Sequence, residues 1–361
     1  MRKIGHVRYL IPLLLILVGM SASPADTTRT LRREMPPGAR FAVENLAGSM
    51  RVTAGSGSQV VVTATVHAET EEAAGLLSLE QVTGKEGVPT LRVVYPTSQH
   101  TRYRYPKRSD GGFLSGLFGS SSTTTEYAGD RVKISSKEGL LLYADVEVQV
   151  PGGAEGTFRN LVGDITGGGV EGNSSFEAAS ANVTLEGLRG KVAAATGSGD
   201  VNASSMEGGF KGATGSGNIT LVELEGDSVS CSTGSGNVRI ESSKAQSVEA
   251  STGSGNIKVV GGDLEEFSGS TGSGNVDVEA DGGRIASLEA ATGSGNVLLR
   301  LGPDASFEAM TETGSGDVVS RYDDAEPIMK NREVIGYRRG GSRSRIKVST
   351  GSGNVVLEPG T

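Results

Sequence analysis

A hydrolase needs a base beside its nucleophile, and this chain holds few candidates for either. It has three histidines, of which His6 lies in the N-terminal segment, leaving His67 and His100. No Ser/His/Asp or Cys/His arrangement is visible, and no His pair at helical spacing offers a zinc site. The only cysteine, Cys231, cannot close an intramolecular disulfide. Gly-Ser-Gly recurs, but never with the Lys-[Ser/Thr] that completes a phosphate loop. Glu265-Glu266 and Asp323-Asp324 come nearest to the paired carboxylates of a polysaccharide-cleaving β-helix enzyme. Each pair is adjacent in sequence, and in a strand adjacent side chains face opposite ways. There is no Trp for sugar stacking. No catalytic residue, metal ligand or cofactor is therefore expected.

What does recur is Thr-Gly-Ser-Gly-[Asn/Asp]-[Val/Ile]. It starts at Thr196, Thr214, Thr233, Thr252, Thr271, Thr292, Thr313 and Thr350, in steps of 18, 19, 19, 19, 21, 21 and 37 residues. Its acidic or amide position is Asp200, Asn218, Asn237, Asn256, Asn275, Asn296, Asp317 and Asn354, and Asp164 and Asn182 extend that series upstream. The last step is close to two repeats, which predicts one coil that has lost its motif. A calcium-binding β-roll also stacks at this period, but through carboxylates, where this chain mostly has the weaker neutral amide. The alternative chemistry is structural. Glycines supply positive φ, and stacked Thr, Ser and Asn bond from coil to coil.

The residues between motifs alternate. Ile219, Thr220 and Leu221 follow Asn218, and after a turn Val229, Ser230, Cys231 and Ser232 alternate again. Each coil of 18–21 residues thus holds two short strands, which predicts an all-β, parallel β-solenoid. Stacking aligns inward columns. One reads Val192, Phe210, Val229, Val248, Phe267, Leu288 and Phe307; the other is uniformly small and reads Ala194, Gly212, Cys231, Ala250, Gly269, Ala290 and Ala309. Cys231 is then a small buried hydrophobe. At about 4.8 Å per coil the rod is roughly 50 Å long. Composition agrees: 55 of 361 residues are Gly and only 4% are aromatic, which suits a thin core repeated many times.

Three further segments surround the repeats. Residues 1–25 read as a secretory signal peptide: Arg2, Lys3 and Arg8, an apolar run from Leu10 to Val18 broken only by Pro12, then Ser23 and Ala25 before the cut. No membrane span follows the cut. Residues 26–150 alternate as strands in Phe41–Val43, Met50–Val52 and Val60–Val66, with a short helix over 69–77, and form a β-rich capping module. The solenoid takes residues 151–361. Two insertions break the pattern, a flexible 97–129 and 321–345. The first carries Arg102, Arg104 and Tyr105; the second Arg338, Arg339, Tyr322 and Tyr337. Basic and aromatic residues on loops suit an envelope glycan or protein ligand, with Arg102, Arg104, Arg338 and Arg339 as its contacts.

The charge excludes one partner. The chain carries −8 overall, and residues 160–320 alone carry −14. Such a surface repels nucleic acid.

The run Phe41-Ala-Val-Glu-Asn-Leu-Ala-Gly-Ser-Met-Arg-Val, the strand Val146-Glu-Val-Gln-Val-Pro and the serial Thr-Gly-Ser-Gly-Asn-Val turns resemble the bacterial putative-adhesin domain family. The resemblance covers roughly residues 40–361. It implies a parallel β-solenoid outside the cytoplasm with an adhesive role, and it brings no catalytic motif. The sequence therefore points to a non-enzymatic exported envelope protein, periplasmic, surface-bound or secreted, acting as adhesin or scaffold. The β-roll and the β-helix enzyme are the alternatives.

Overall fold

A computed structural model describes residues 27–106, 122–261, 263–280, 285–341 and 344–360. The expected signal peptide and the centre of the 97–129 insertion lie outside the described residues. No helix among the described residues is long and apolar enough to cross a membrane.

The chain is an all-β, parallel solenoid. Each coil lays one strand on each of two faces. Val192–Ser198 pairs with Phe210–Ser216, and Val201–Glu207 with Ile219–Ser235, with every Thr of the motif over the next Thr. Alternate residues of both faces point inward, most of them Val, Ile, Leu or Phe; Val229, Cys231, Ile219 and Leu221 are all buried. Burial pushes the Cys231 thiol up to about 12, so it is an inert filler of the core.

The two inward columns compensate each other in size. Bulk passes from Phe158 and Phe176 in one column to Phe210 and Phe267 in the other, and each phenylalanine faces a small residue two positions away. A Cβ on Gly269 would sit 2.5 Å from Phe267 Cζ, so the ring already occupies that space. Gly269→Leu is therefore expected to destabilise by about 1–3 kcal/mol through overpacking. A thermal melt that matches the parent would show that the space assigned to the ring is open.

The columns need correction at the C-terminal end. Val348 stands between Ala290 and Thr311, so the narrow column is not uniformly small. Ala309, not Phe307, lies in register with Ile346, and Ile346 with Leu288. Phe307 sits two residues further back and packs edge-on against Tyr322, ring centres 5.4 Å apart.

The reason is the order of coils. No coil has lost its motif between Thr313 and Thr350. Ser344–Ser352 and Val355–Pro359 slip between the coil of Ser287–Ser294 and Val297–Leu301 and the coil of Phe307–Ser315 and Val318–Ser320. The last coil of the sequence is thus the last but one in space. The intervening residues form a hairpin, Glu326–Lys330 against Glu333–Arg339, whose second strand runs antiparallel to Phe307–Ser315. Pro327 lies on its outer strand, where a missing N–H blunts the open edge. Much of the expected 321–345 insertion is therefore an end cap.

At the other end the chain enters the rod early. Phe41–Ala47 and Met50–Gly55 form a complete coil that stacks on Gly156–Val162 and Ile165–Gly168. Between them the chain leaves to build the module. Leu140–Pro151 pairs with Met50–Gly55 and with Val60–Ala68, and Pro89–Val94 pairs with Phe41–Ala47. The expected short helix is Glu71–Gly75, with Thr70 Oγ1 accepting from the Ala73 N–H. The ends of the 97–129 insertion are strands, Arg102–Arg104 and Ser122–Tyr127. Tyr103 and Tyr127 on them are buried in the core.

Candidate functional site

The motif side chains hold the coils together. The hydroxyls of Thr196, Thr214, Thr233, Thr252, Thr271, Thr292 and Thr350 donate to a turn carbonyl of the neighbouring coil at 2.8–3.0 Å. Thr313, in the displaced end coil, reaches Gly353 O at 3.4 Å. The Asn/Asp oxygens accept from the next coil's backbone: Asn218 N–H to Asp200, Asn237 to Asn218, Asn256 to Asn237, Asn275 to Asn256 and Asn296 to Asn275, at 2.8–3.0 Å. Asn354 then accepts from Asp317 and donates to Asn296. Both glycines are forced by contact. A Cβ on Gly236, with φ +143°, would lie 2.0 Å from Gly217 O, and one on Gly234 2.6 Å from Gly215 O.

These bonds already engage one oxygen of each rung. Chelation of divalent ions is accordingly expected to leave the far-ultraviolet circular dichroism spectrum unchanged. A loss of β signal restored by calcium would give the turns the role of a β-roll.

Upstream, the ladder changes character. Asp164 and Asn182 continue it, and Ser49 takes the next rung. Ser49 N–H and Oγ both donate to Asp145 Oδ1, at 2.8 and 2.7 Å. Asp145 Oδ2 lies 3.1 Å from His67 Nε2. His67 and Tyr143 are opposite one another on paired strands and stack at 4.7 Å, and Tyr105 meets Tyr143 edge-on at 5.0 Å. Serine, aspartate and histidine thus converge, but with the carboxylate in the middle. A nucleophilic triad needs the imidazole there.

This cluster forms part of a groove of about 610 Å³ between the module and the first coils. Arg51, Tyr105, Tyr143, Asp145, Asp164 and Asn182 line it, and it continues along the turns to Ser198 and Gly199. Gly163 keeps its floor low: a Cβ there would lie 3.1 Å from the Tyr105 hydroxyl. Burial raises the Asp145 pKa, but hydrogen bonds from His67 and Ser49 outweigh it and bring the carboxyl to about 2. A depressed folded-state pKa stabilises fully above the unfolded value near 4, and the gain disappears as pH falls toward 2. Melting curves between pH 2 and 6 should therefore show an acid-side loss in the parent that Asp145→Asn flattens. Equal acid sensitivity in both chains would remove Asp145 from that account.

Of the four arginines the sequence singles out, Arg102 is exposed. Arg104 pairs with Glu69. Arg338 pairs with Glu308 at 2.8 Å. Arg339 is engaged on every side: Asp324 at 2.6 Å, the carbonyls of Pro303 and Ala305 at 2.6 and 2.8 Å, and the Tyr322 ring at 4.7 Å. The two pairs stand at opposite ends of the stacked coils and do not meet.

Sequence reasoning missed Ser49, Arg51, Tyr143 and Asp145, and set His67 aside. A signal existed for two of them: alternation along Leu140–Pro151 puts Tyr143 and Asp145 on one face, opposite Ala144 and Val146. It missed Asn45 and Asn160 too, which hold the Thr position in the first two coils and are fully buried. There the motif is spelled Asn-Leu-Ala-Gly-Ser and Asn-Leu-Val-Gly-Asp.

Fold and turns define a parallel β-solenoid whose coils are joined through a stacked Thr-Gly-Ser-Gly-Asn corner. The chain belongs to the Toastrack DUF4097 family, whose model matches residues 169–358, just over half of its length. No curated protein matches it. Among solved structures it is similar to a putative cell adhesion protein from Clostridium sporogenes, at 11% identity, 92% of this chain, 100% of that one and a TM-score of 0.18. It is also similar to a putative lipid binding protein from Parabacteroides distasonis, at 15% identity, 91% and 96% coverage and a TM-score of 0.38. A putative adhesin from Parabacteroides merdae follows at 11% identity, 92% and 95% coverage and a TM-score of 0.33.

Proposed function

We propose that this protein is an exported, non-enzymatic component of the cell envelope or surface, an adhesin or scaffold, whose ligand docks at the module end of the rod. The observation that carries this reading is the groove. It is the place where the repeated turns meet side chains able to recognise something, Arg51, Tyr105, Asp145 and Asp164. Elsewhere along the rod the motif side chains bond to the neighbouring coil. Arg102 is the remaining exposed candidate from the first insertion, on the strand that leads into Tyr105. Recognition by segments that a rigid scaffold positions is the general pattern. The basic signal-like start and the single cysteine agree with export.

The test is sedimentation of the purified chain, without residues 1–25, with envelope fragments of its own cells. The parent should co-sediment saturably, and Arg51→Ala and Tyr105→Ala should weaken this at least tenfold. Binding that survives both changes but falls on replacing Asn256 or Asn275 would move the site to the mid-rod turns.

A further inference from the structure

We infer that the groove takes a neutral oligosaccharide, lying along the first coils with one sugar ring against Tyr105; this rests on the adhesin reading above. Three features point there. The first is the mixture of hydrogen-bonding groups. Asp164 offers a carboxylate acceptor, while Arg51 and Asn182 offer donors; Asp145 already accepts from Ser49 and pairs with His67. Asp164 uses Oδ1 to accept from the Asn182 N–H at 3.0 Å, and Arg51 is exposed. A sugar hydroxyl both donates and accepts, so a ring bearing several of them can satisfy both kinds of group at once. A ligand that only accepts would desolvate the second Asp164 oxygen with nothing in return, and one that only donates would do the same to the Arg51 guanidinium.

The second feature is the aromatic wall. Tyr105 is half-buried and packed edge-on against Tyr143, which is itself held by stacking on His67. A tyrosine fixed in this way presents its ring at little entropic cost. Sugars need such a surface because the C–H groups on a pyranose face are apolar while its edges are polar.

The third feature is length. The lining runs from Ser49 through Asp164 and Asn182 to Gly199, turn residues of four successive coils. Three steps at about 4.8 Å give roughly 14 Å. The space suits a chain of rings better than a single one. Charge narrows the class further. The lining holds two carboxylates, Asp145 and Asp164, against one guanidinium, Arg51, so it has no excess cation for a uronate or phosphate chain, whereas uncharged rings need none.

The experiment uses the full chain without residues 1–25 on an array of neutral, anionic and cationic oligosaccharides, followed by calorimetric titration of each hit. Binding to neutral glycans is expected, weakened at least tenfold by Arg51→Ala, with its melting temperature unchanged, and by Tyr105→Ala, with Lys258→Ala, midway along the rod, binding as the parent does. Array binding confined to anionic glycans, or no binding at all, overturns the proposal. So does neutral binding that both groove variants leave intact. Sedimentation with envelope fragments separates the two readings. If it persists and falls with Arg51→Ala while the array stays blank, the adhesin reading stands and the saccharide class is wrong. If neither binds, both fail.

Discussion

Ending the chain after Gly340 is expected to unfold more than the coil it removes. Among the described residues, Phe307–Ser315 pairs only with the removed Ser344–Ser352 strand and with the hairpin, and Val318–Ser320 only with Val355–Pro359. Residues 307–340 would thus lose every strand partner on the rod. Ile346, Val348, Val355 and Leu357 are buried to within 2%, and at about 1.5–3 kcal/mol each they contribute roughly 6–12 kcal/mol, an upper bound against an extended unfolded chain. Tyr322 also loses its bond to Glu358 O at 3.0 Å, and Arg300 and Arg321 lose the Glu358 carboxylate. The end coil could in principle restack, since Thr292 to Thr313 spans the same 21 residues as Thr271 to Thr292. It would then set Ala309 beside Leu288, leaving a void, and Thr311 beside Ala290, with a hydroxyl that already has no partner. Restacking therefore recovers little. Hydrogen exchange should show protection lost across residues 285–340 and a lower unfolding midpoint. A truncated chain that melts with the parent would mean that the intercalated coil is dispensable.

Asn160→Leu is the single substitution with the largest expected cost. Asn160 is fully buried; its Nδ2 donates to Gly48 O at 2.6 Å and Gly163 O at 2.7 Å, and its Oδ1 accepts from Asn45 Nδ2 at 2.9 Å. Asn45 in turn bonds Ala144 O, and the Tyr95 hydroxyl bonds Asn45 Oδ1. The network ties the first two coils to the module. Leucine fills the volume and satisfies none of it, and each buried group left unpaired costs about 1–3 kcal/mol, so about 3–6 kcal/mol is expected in all. Thr233→Val, which removes one bond to Gly217 O, should cost only about 1 kcal/mol. Asn160→Thr, the residue that later coils carry here, should recover part of the loss. Urea titrations read all three. A cost for Asn160→Leu no larger than that for Thr233→Val would show that the network adds nothing beyond one hydrogen bond.

Much of the rod was legible in the sequence because a solenoid is nearly one-dimensional. Each coil from Val192 to Ala280 contacts the coils just before and after it in the chain, so a period and an alternation suffice to name the inward columns, the glycine corner and the burial of Cys231. Stacking repeats the same contacts, and the motif records them. Tertiary structure alone decided three things. The position of the last coil depends on which strand edge Ser344–Ser352 joins, and equal repeats make several edges equivalent; side-chain volume at Ile346 and Val348 selects one. The Asn45–Asn160 pair stands where the motif has Thr, because those coils must also bond the module. The groove joins Ser49 to Asp145, 96 residues apart, across a parallel pairing between Met50–Gly55 and Leu140–Pro151. Contacts made once, between segments with no shared period, leave no repeated trace along the chain, and long-range strand pairing brings them together.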